Sequence, residues 1–412
     1  MASRIVIIGC GFAGVWSALA AKRLVDLKDK APSVEVVVVA PEASLVARPR
    51  LYEANAAGMA QPLGSLFESI GIKFVQGFVE TIQPEDHHVL VRSAAGVTSR
   101  ISYDRLILAA GSSIVHPKNI DGLGEHAFNV DNIDSASKLE KHIQNLSSED
   151  PSPARNTVVV CGAGFTGIEL ATELPSRLQT IFGDDTSRVV LVGNSEEVGP
   201  ELGPGPRPVI LQALQDLGVE CKLGSAVTSS EADGVNLASG ERIESRTAVW
   251  TAGVKATSLT EQVPAPKDTL GRLIVDENLQ VPGVKNIFAT GDTAHAAADK
   301  DGHAAMMSCQ HALLLGRTSG HNAAADLLGE PTLPYSQVAY VTCLDLGAFG
   351  AVITEGWDRE VRLSGKMAKN VKTHINQVLI YTPDDGATAL ETAHPSFYQS
   401  DKLLTQIMEV IA

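Results

Sequence analysis

The sequence lacks the features that define several large protein classes. Its 412 residues include only five cysteines, none in a CxxC pair, and no apolar run long enough to span a bilayer. An odd number of widely spaced cysteines is typical of reduced thiols, not of a disulfide framework or a zinc site. The first apolar run, in MASRIVIIGCG, is too short for a signal-peptide core, so we expect a cytoplasmic protein.

Basic residues are also scarce. There are 33 Lys and Arg against 48 Asp and Glu, which gives a formal net charge of −15. Nucleic-acid-binding proteins show a concentrated basic surface, and anionic bilayers attract basic segments. We therefore expect no nucleic-acid partner and no electrostatic docking to a membrane.

Apolar strand patterns alternate with helical patterns along most of the chain. Near-continuous Val, Ile and Leu runs predict strands at 4–9, 34–40, 105–111, 157–162, 188–193, 247–253 and 286–292. Helical spacing predicts helices at 14–27, 135–146, 167–182 and 208–218. This alternation indicates an α/β fold with doubly wound parallel sheets.

The pattern changes beyond about residue 325. The stretches YSQVAYVTCLDLGAFGAVITEGW and KTHINQVLIYT resemble antiparallel strands, and a short helix is expected after them. We therefore predict a smaller C-terminal α+β domain.

Two glycine-marked turns, about 150 residues apart, each follow an apolar strand and open an apolar helix. They are IVIIGCGFAG, with Gly9, Gly11 and Gly14, and VVVCGAGFTG, with Gly162, Gly164 and Gly167. In G-x-G-x-x-G the glycines permit a tight turn, close approach of a pyrophosphate, and packing of the helix on the strand. The helix N-terminus then offers free N–H groups to the phosphates. The sequence predicts two dinucleotide sites, with Cys10 and Cys161 as packing residues within the turns.

Small residues end two later strands. Ala109, Ala110 and Gly111 follow RLIL, and Gly291 and Asp292 end NIFATGD. Small side chains let the backbone lie against a bulky cofactor, and a strand-end carboxylate can accept a hydrogen bond from a flavin's ribityl hydroxyl. We therefore expect both segments to border the first dinucleotide.

Together these motifs resemble the flavoproteins with two dinucleotide-binding domains. More narrowly, the chain is similar to the type II NADH:quinone oxidoreductases and relatives that resemble apoptosis-inducing factor. The resemblance rests on the two turns and on RPRLYE, YDRLILAAGS, VWTAGV, IFATGD and MSCQHALLLGRTSGHN, over residues 4 to 322. It implies an FAD-binding domain at 1–120 and 260–325, an NAD(P)H-binding domain at 121–259, and a C-terminal interface domain at 326–412.

The resemblance also implies roles for individual residues. Glu169 and Gln310 are the candidate catalytic residues, one near the nicotinamide and flavin and the other as a donor to a quinone. The SerCysGln at 308–310 resembles the family's Thr-Ala-Gln at the flavin and quinone end. The implied cofactor contacts are Gly9, Gly11, Phe12, Ala13, Gly14, Glu42, Arg48, Ala110, Gly111, Gly162, Gly164, Phe165, Thr166, Gly167, Gly253, Gly291, Asp292, Cys309 and Gln310.

Three departures from the family pattern leave questions open. The acidic residue expected after the second strand of each unit is replaced by Ala40 and Gly193, although Glu42 could reach the adenosine ribose. The sequence therefore does not choose between NADH and NADPH. The glutamine expected four residues after Gln310 is Leu314, which puts the identity of the acceptor in doubt.

The third departure is at the end of the chain, PSFYQSDKLLTQIMEVIA. An apolar helical face is expected there, but the segment is short and lacks tryptophan and the cluster of basic residues that anchors helices to membranes. This favours packing in the core or in a homodimer over weak peripheral membrane contact. The face would comprise Leu403, Leu404, Ile407, Met408 and Ile411.

The sequence thus predicts an FAD-dependent enzyme that takes a hydride from NADH or NADPH and passes two electrons to a quinone-like acceptor. Two alternatives stay open: reduction of an electron-transfer protein or aromatic metabolite, and a nucleotide-responsive redox-sensing binding protein. The missing CxxC excludes the disulfide-reducing branch of the superfamily. His295, His303, His311 and His321 match no metal spacing, so we expect no metal.

Overall fold

Two five-stranded parallel sheets form the centre of the molecule. The structure is a computed structural model and describes residues 2–183 and 187–397. Across the first sheet the strands are Ile287–Ala289, Arg105–Leu108, Ser3–Ile8, Val34–Ala40 and Lys73–Gln76. Across the second they are Ala127–Phe128, Thr247–Trp250, Thr157–Cys161, Arg188–Val192 and Glu220–Lys222. All pairings in both sheets are parallel, which confirms the predicted α/β class.

The seven strands and four helices predicted between residues 4 and 292 are all present, with ends shifted by a few residues. The helix after the first turn is Phe12–Leu27 and the helix after the second is Phe165–Phe182. The other α-helices are Gly64–Ile70, Leu123–His126, Ile133–Leu146, Pro153–Asn156, Arg207–Asp216, Cys309–Leu328, Gly365–His374 and Gly386–Thr392. The strands have little exposed surface because helices or other strands cover both faces of each sheet.

Three antiparallel sheets of three strands each accompany the parallel sheets. The first comprises Phe78–Gln83, His88–Arg92 and Thr98–Ser102, and the second comprises Val227–Glu231, Gly234–Leu237 and Arg242–Glu244. The third comprises Val341–Asp345, Ala351–Glu355 and Glu360–Ser364. Short strands Ser44–Val46 and Ala60–Pro62 pair with each other, as do Leu273–Ile274 and Ala294–His295. Strand Ser112–Ile114 lies where the chain leaves the first sheet, and strand Val254–Ala256 lies where it leaves the second. The two strands pair antiparallel.

The helix Cys309–Leu328 packs tightly against Phe12–Leu27. A Cβ on Gly316 would lie 2.5 Å from the carbonyl oxygen of Ala13, and one on Gly320 would lie 2.1 Å from that of Ser17. Ser17 Oγ also donates to the Gly316 carbonyl at 3.0 Å. The two glycines therefore fix the N-terminus of Cys309–Leu328 beside the first glycine turn.

One sequence expectation is wrong. KTHINQVLIYT was expected as a strand, but it continues the helix Gly365–His374 into a π-helical turn, Ile375–Leu379. The buried positions Ala368, Val371, Lys372 and Asn376 recur every three to four residues, which is the spacing of a helix packed on a sheet. The antiparallel strands expected before it, within 341–355, are present.

The predicted apolar face at Leu403 to Ile411 lies outside the described residues. No helix in the described part of the chain is long and apolar enough to cross a membrane. We keep the division into three domains as a proposal.

Candidate functional site

A cavity of about 1470 Å³ lies between the two glycine turns. Pockets for one small ligand typically have volumes of about 300 to 1,000 Å³, so this cavity has room for more than one. Its wall contains all the site residues proposed from the sequence except Gly14 and Gly167. The chain thus brings segments from residue 9 to residue 310 into one site.

The first turn has the geometry that a bound diphosphate requires. Gly9 has a φ of +111°, and a Cβ there would lie 2.3 Å from the Ala109 carbonyl oxygen. Gly11 caps the helix, and apart from its two chain neighbours no described residue has an atom within 4 Å of where its Cβ would be. The space over the helix N-terminus is therefore open to a ligand.

The third glycine of each turn lies behind the cavity wall. A Cβ on Gly14 would be 2.1 Å from the Gly9 carbonyl oxygen, and one on Gly167 would be 1.7 Å from that of Gly162. These two glycines let the helix pack against its own turn, and the other glycines of the two turns line the cavity.

The second turn repeats this design, with one addition. Gly162 has a φ of +129°, and a Cβ there would lie 2.7 Å from Thr251 Oγ1. Gly164 caps the helix Phe165–Phe182, and its Cβ position is 2.8 Å from a carboxylate oxygen of Glu201. Phe165, Thr166 and Gly253 also line the cavity.

A cluster of hydrogen-bonded polar side chains lies at the strand ends of the first sheet. Asp292 accepts a hydrogen bond from Ser112 Oγ at 2.6 Å, and Arg48 Nη1 donates to the same hydroxyl at 2.8 Å. Arg48 also pairs with Asp131. Gly291 has a φ of +62° and packs against Ala13. Ala110, Gly111 and Glu42 complete this part of the wall.

A buried ion pair joins the second helix to the C-terminal segment. Lys372 Nζ lies 2.8 Å from Glu169 Oε1, and the two side chains are 6% and 3% exposed. Glu169 also accepts from the Asp345 backbone N–H at 3.0 Å, and Lys372 donates to the Cys343 carbonyl at 3.0 Å. Burial raises the pKa of Glu169 to about 7, although the Lys372 ammonium opposes the shift. Burial alone would lower the pKa of Lys372, but the Glu169 carboxylate holds it above its ordinary value.

Gln310 and Cys309 begin the long helix at the cavity wall. Ser308 caps this helix by accepting from the His311 backbone N–H, and Gln310 Oε1 accepts from the Val341 N–H at 3.3 Å. Burial raises the pKa of Cys309 and of Cys343, and it raises the pKa of Cys10 and of Cys161 to about 12. Thiols with raised pKa values are poor nucleophiles.

The neighbouring histidine is buried and lies outside the cavity wall. His311 is 0% exposed, and its Nδ1 is 2.9 Å from Ser308 Oγ. Burial lowers its pKa to about 3. No group of three or more metal-ligating side chains was found in residues 2–183 and 187–397.

Sequence reasoning missed several residues of the wall. Lys372, Tyr340, Arg359 and Arg272 all line the cavity. The Arg359 guanidinium lies over the Tyr340 ring at 4.4 Å. Of these four residues, only Lys372 could have been singled out from the sequence, because it is a lysine on the apolar helix face formed by Ala368 and Val371.

Comparison with known proteins identifies the family. The family model described as pyridine nucleotide-disulphide oxidoreductase matches residues 3–316, so the chain belongs to that family. Its members are FAD-dependent NAD(P)H oxidoreductases, which confirms the predicted cofactors and the oxidoreductase class.

Individual relatives match almost the whole chain. An NADH dehydrogenase-like protein of Mycobacterium tuberculosis is 46% identical over 391 residues, 94% of this chain and 96% of that protein. A type II NADH:quinone oxidoreductase of Staphylococcus epidermidis is 28% identical over 398 residues, 92% of this chain and 95% of that protein. The solved NDH2 of Plasmodium falciparum in complex with NADH superposes with a TM-score of 0.75 and 15% identity, over 93% of this chain and 95% of that one. At that identity the structural match shows the fold alone.

Proposed function

We propose that the protein takes a hydride from NADH or NADPH onto FAD and passes two electrons to a quinone-like acceptor. The main support is that one cavity contains both glycine turns, the Glu169–Lys372 pair and Gln310. Relatives named for NADH and quinone chemistry add to this support.

The first turn and the strand ends would hold FAD, which supplies a two-electron carrier when bound. The backbone at Gly9 and Gly11 would bind its diphosphate, since the space over the helix N-terminus is open. Asp292, oriented by its hydrogen bond from Ser112, would accept from the ribityl chain. Glu42, exposed two residues after the second strand, would reach the adenosine ribose.

The second turn would hold the nicotinamide nucleotide. Gly162 and Gly164 would admit its diphosphate, with Thr166 at the first helical turn and Gly253 beside the nicotinamide. Glu169, one turn into the same helix, would lie where the two cofactor rings meet. The chain's contribution to hydride transfer would be orientation and exclusion of water.

Lys372 and Gln310 are suited to an acceptor whose oxygens gain negative charge on reduction. Lys372 Nζ has three N–H donors, and Glu169 and the Cys343 carbonyl take two, so one can point to a ligand. The contact of Gln310 Oε1 with Val341 leaves the amide NH₂ of Gln310 to donate. Fixed donors at such oxygens favour the reduced state over the oxidised one.

One observation favours a different acceptor. Leu314 lines the cavity where the family pattern has a second glutamine, so one polar partner for a quinone carbonyl is replaced by an apolar surface. An aromatic metabolite or an electron-transfer protein would not need that partner.

The proposal is tested by separating the two half-reactions. We expect the FAD-loaded protein to lose its visible absorbance under anaerobic NADH or NADPH and to regain it with short-chain quinones in stopped flow. Gln310→Leu should slow the reoxidation more than the reduction, and Gln212→Leu, on an exposed helix surface, should slow neither.

Three results would contradict the proposal. A protein that stays colourless with FAD would not be a flavoprotein. Absence of bleaching with either nucleotide would favour the redox-sensing binding protein. A Gln310→Leu variant that slows reduction and leaves reoxidation intact would remove Gln310 from the acceptor site.

Cytoplasmic location and packing in the core or in a homodimer stay predictions of the sequence, with weak peripheral membrane contact as the less favoured alternative. A small-molecule acceptor and the absence of nucleic-acid binding are part of the same proposal.

A further inference from the structure

A glutamate side chain, that of Glu201, lies at the helix N-terminus of the second glycine turn. The corresponding space at the first turn is open. The Phe165 backbone N–H donates to Glu201 Oε1 at 2.7 Å. The same oxygen is 2.8 Å from the Cβ position of Gly164, whereas the equivalent position at Gly11 has no neighbour within 4 Å among the described residues. The two turns share one backbone design but differ in this carboxylate.

The helix end is the principal partner of this carboxylate. Of the nearby acidic residues, Glu197 pairs with Arg207 at 2.8 Å, whereas Glu201 has no ion pair with a residue in the described part of the chain. A negative charge at a helix N-terminus is stabilised by the free N–H groups and by the helix dipole. The same N–H groups would bind a diphosphate, so the Glu201 carboxylate and a diphosphate would occupy the same position.

The local structure lets the side chain leave without moving the backbone. Glu201 is in the short 3₁₀ turn Pro200–Leu202. Leu202 is 3% exposed, and the Gly199 N–H donates to the Ala163 carbonyl at 2.8 Å, so the turn is anchored on both sides of Glu201. The Glu201 side chain itself is exposed and borders the cavity. Rotation about its own side-chain bonds is enough to clear the turn.

We propose that Glu201 competes with the nucleotide diphosphate for the second glycine turn and thereby lowers nucleotide affinity. This inference rests on nucleotide binding at that turn, the function proposed above. The nucleotide must displace the carboxylate from the Phe165 N–H, and the displaced charge stays close to the diphosphate. Both effects weaken binding of reduced and oxidised nucleotide alike and speed release of the product.

The test uses ADP-ribose, which carries the diphosphate but has no nicotinamide and so cannot take part in hydride transfer. Its Kd is measured by titration calorimetry on FAD-loaded wild-type, Glu201→Gln and Glu196→Gln proteins. Glu196 is on the same segment but outside the cavity wall, so its variant makes the matched change of charge. We expect Glu201→Gln to tighten binding by about three- to tenfold, the size of one charged contact at a helix N-terminus. Glu196→Gln should change the Kd by less than about twofold, since exposed charges are screened by salt.

The outcomes separate the inference from the proposed function. If wild type binds ADP-ribose and Glu201→Gln binds it equally or more weakly, Glu201 is no competitor and the inference is wrong. If Glu201→Gln and Glu196→Gln tighten ADP-ribose binding equally, the effect is due to net charge and the inference is also wrong. If no variant binds ADP-ribose, the nucleotide role of the second turn fails, and the inference fails with it.

Thermal denaturation gives an independent readout. Without ligand, Glu201→Ala should lower the Tm because Phe165 loses its hydrogen-bond acceptor. With saturating ADP-ribose the rise in Tm should be larger in the variant than in wild type. A smaller rise would show that Glu201 helps the ligand to bind.

Discussion

Replacing Glu169 by glutamine should change how stability depends on pH. The substitution keeps the shape of the side chain, including an acceptor for the Asp345 N–H and for Lys372, but removes the titrating proton. Burial raises the pKa of Glu169 to about 7 from the ordinary 4.5, so between these values the folded chain binds a proton that the unfolded chain releases. The resulting stability is fully present below pH 4.5 and is lost as the pH rises through about 7.

The size of this effect follows from the two pKa values. A shift from 4.5 to about 7 corresponds to about 3 kcal/mol in the free energy of unfolding. Wild type should therefore lose about 2 to 3 kcal/mol from this group between pH 5 and pH 8, and Glu169→Gln should not. Lys372 adds no slope in this range, because its pKa is held above an ordinary value that is already far more basic.

The measurement is urea unfolding of the FAD-loaded wild type and variant at several pH values. The difference between the two unfolding free energies should grow in favour of the variant from pH 5 to pH 8. Glu125→Gln, whose side chain is 83% exposed in the wild type, should show no such trend. A difference that is constant with pH, or that grows in favour of wild type, would mean that Lys372 keeps Glu169 ionised throughout, and the reasoning from burial would be refuted.

Two further pairs of substitutions test the buried ion pair and the first glycine turn. Lys372→Met should lower the free energy of unfolding at pH 8 by about 3 to 5 kcal/mol, because it leaves the Glu169 carboxyl buried without its cation. Lys366→Met, on an exposed position of the same helix, should cost under about 0.5 kcal/mol in urea unfolding, and an equal loss in both would contradict the ion-pair argument. Gly14→Ala should unfold or strongly destabilise the protein, since its Cβ would lie 2.1 Å from the Gly9 carbonyl oxygen, whereas Gly11→Ala should fold normally and retain less FAD. Thermal denaturation and flavin absorbance distinguish these outcomes, and a stable Gly14→Ala protein would show that the turn can relax.

The fold and the two turns could be predicted from the sequence because their signals are local. A strand such as Val34–Ala40 is a continuous apolar run, and each glycine turn lies within ten residues of the strand and the helix that confirm it. The KTHINQVLIYT segment was misassigned because a short apolar run such as its VLIY fits a strand as well as a helix. The helix packs against the strands Val341–Asp345 and Ala351–Glu355, and this packing favours the helical conformation. Both strands lie outside the short stretch of sequence from which the prediction was made.

Local sequence patterns do not reveal the charged side chains that determine ligand affinity and protonation state in the site. Glu169 could be proposed because it follows a recognisable motif, but its pKa depends on burial and on the opposing charge of Lys372, which is 203 residues away. Glu201 lies 36 residues from the N–H that it accepts from, in a segment that resembles an ordinary rigid turn. In both cases the backbone motif sets where a ligand can bind, and a distant charged side chain sets how tightly or in which protonation state. Chains with the same glycine turns can therefore differ in nucleotide affinity and in acceptor through a few such residues, and these are the positions to compare between this protein and its relatives.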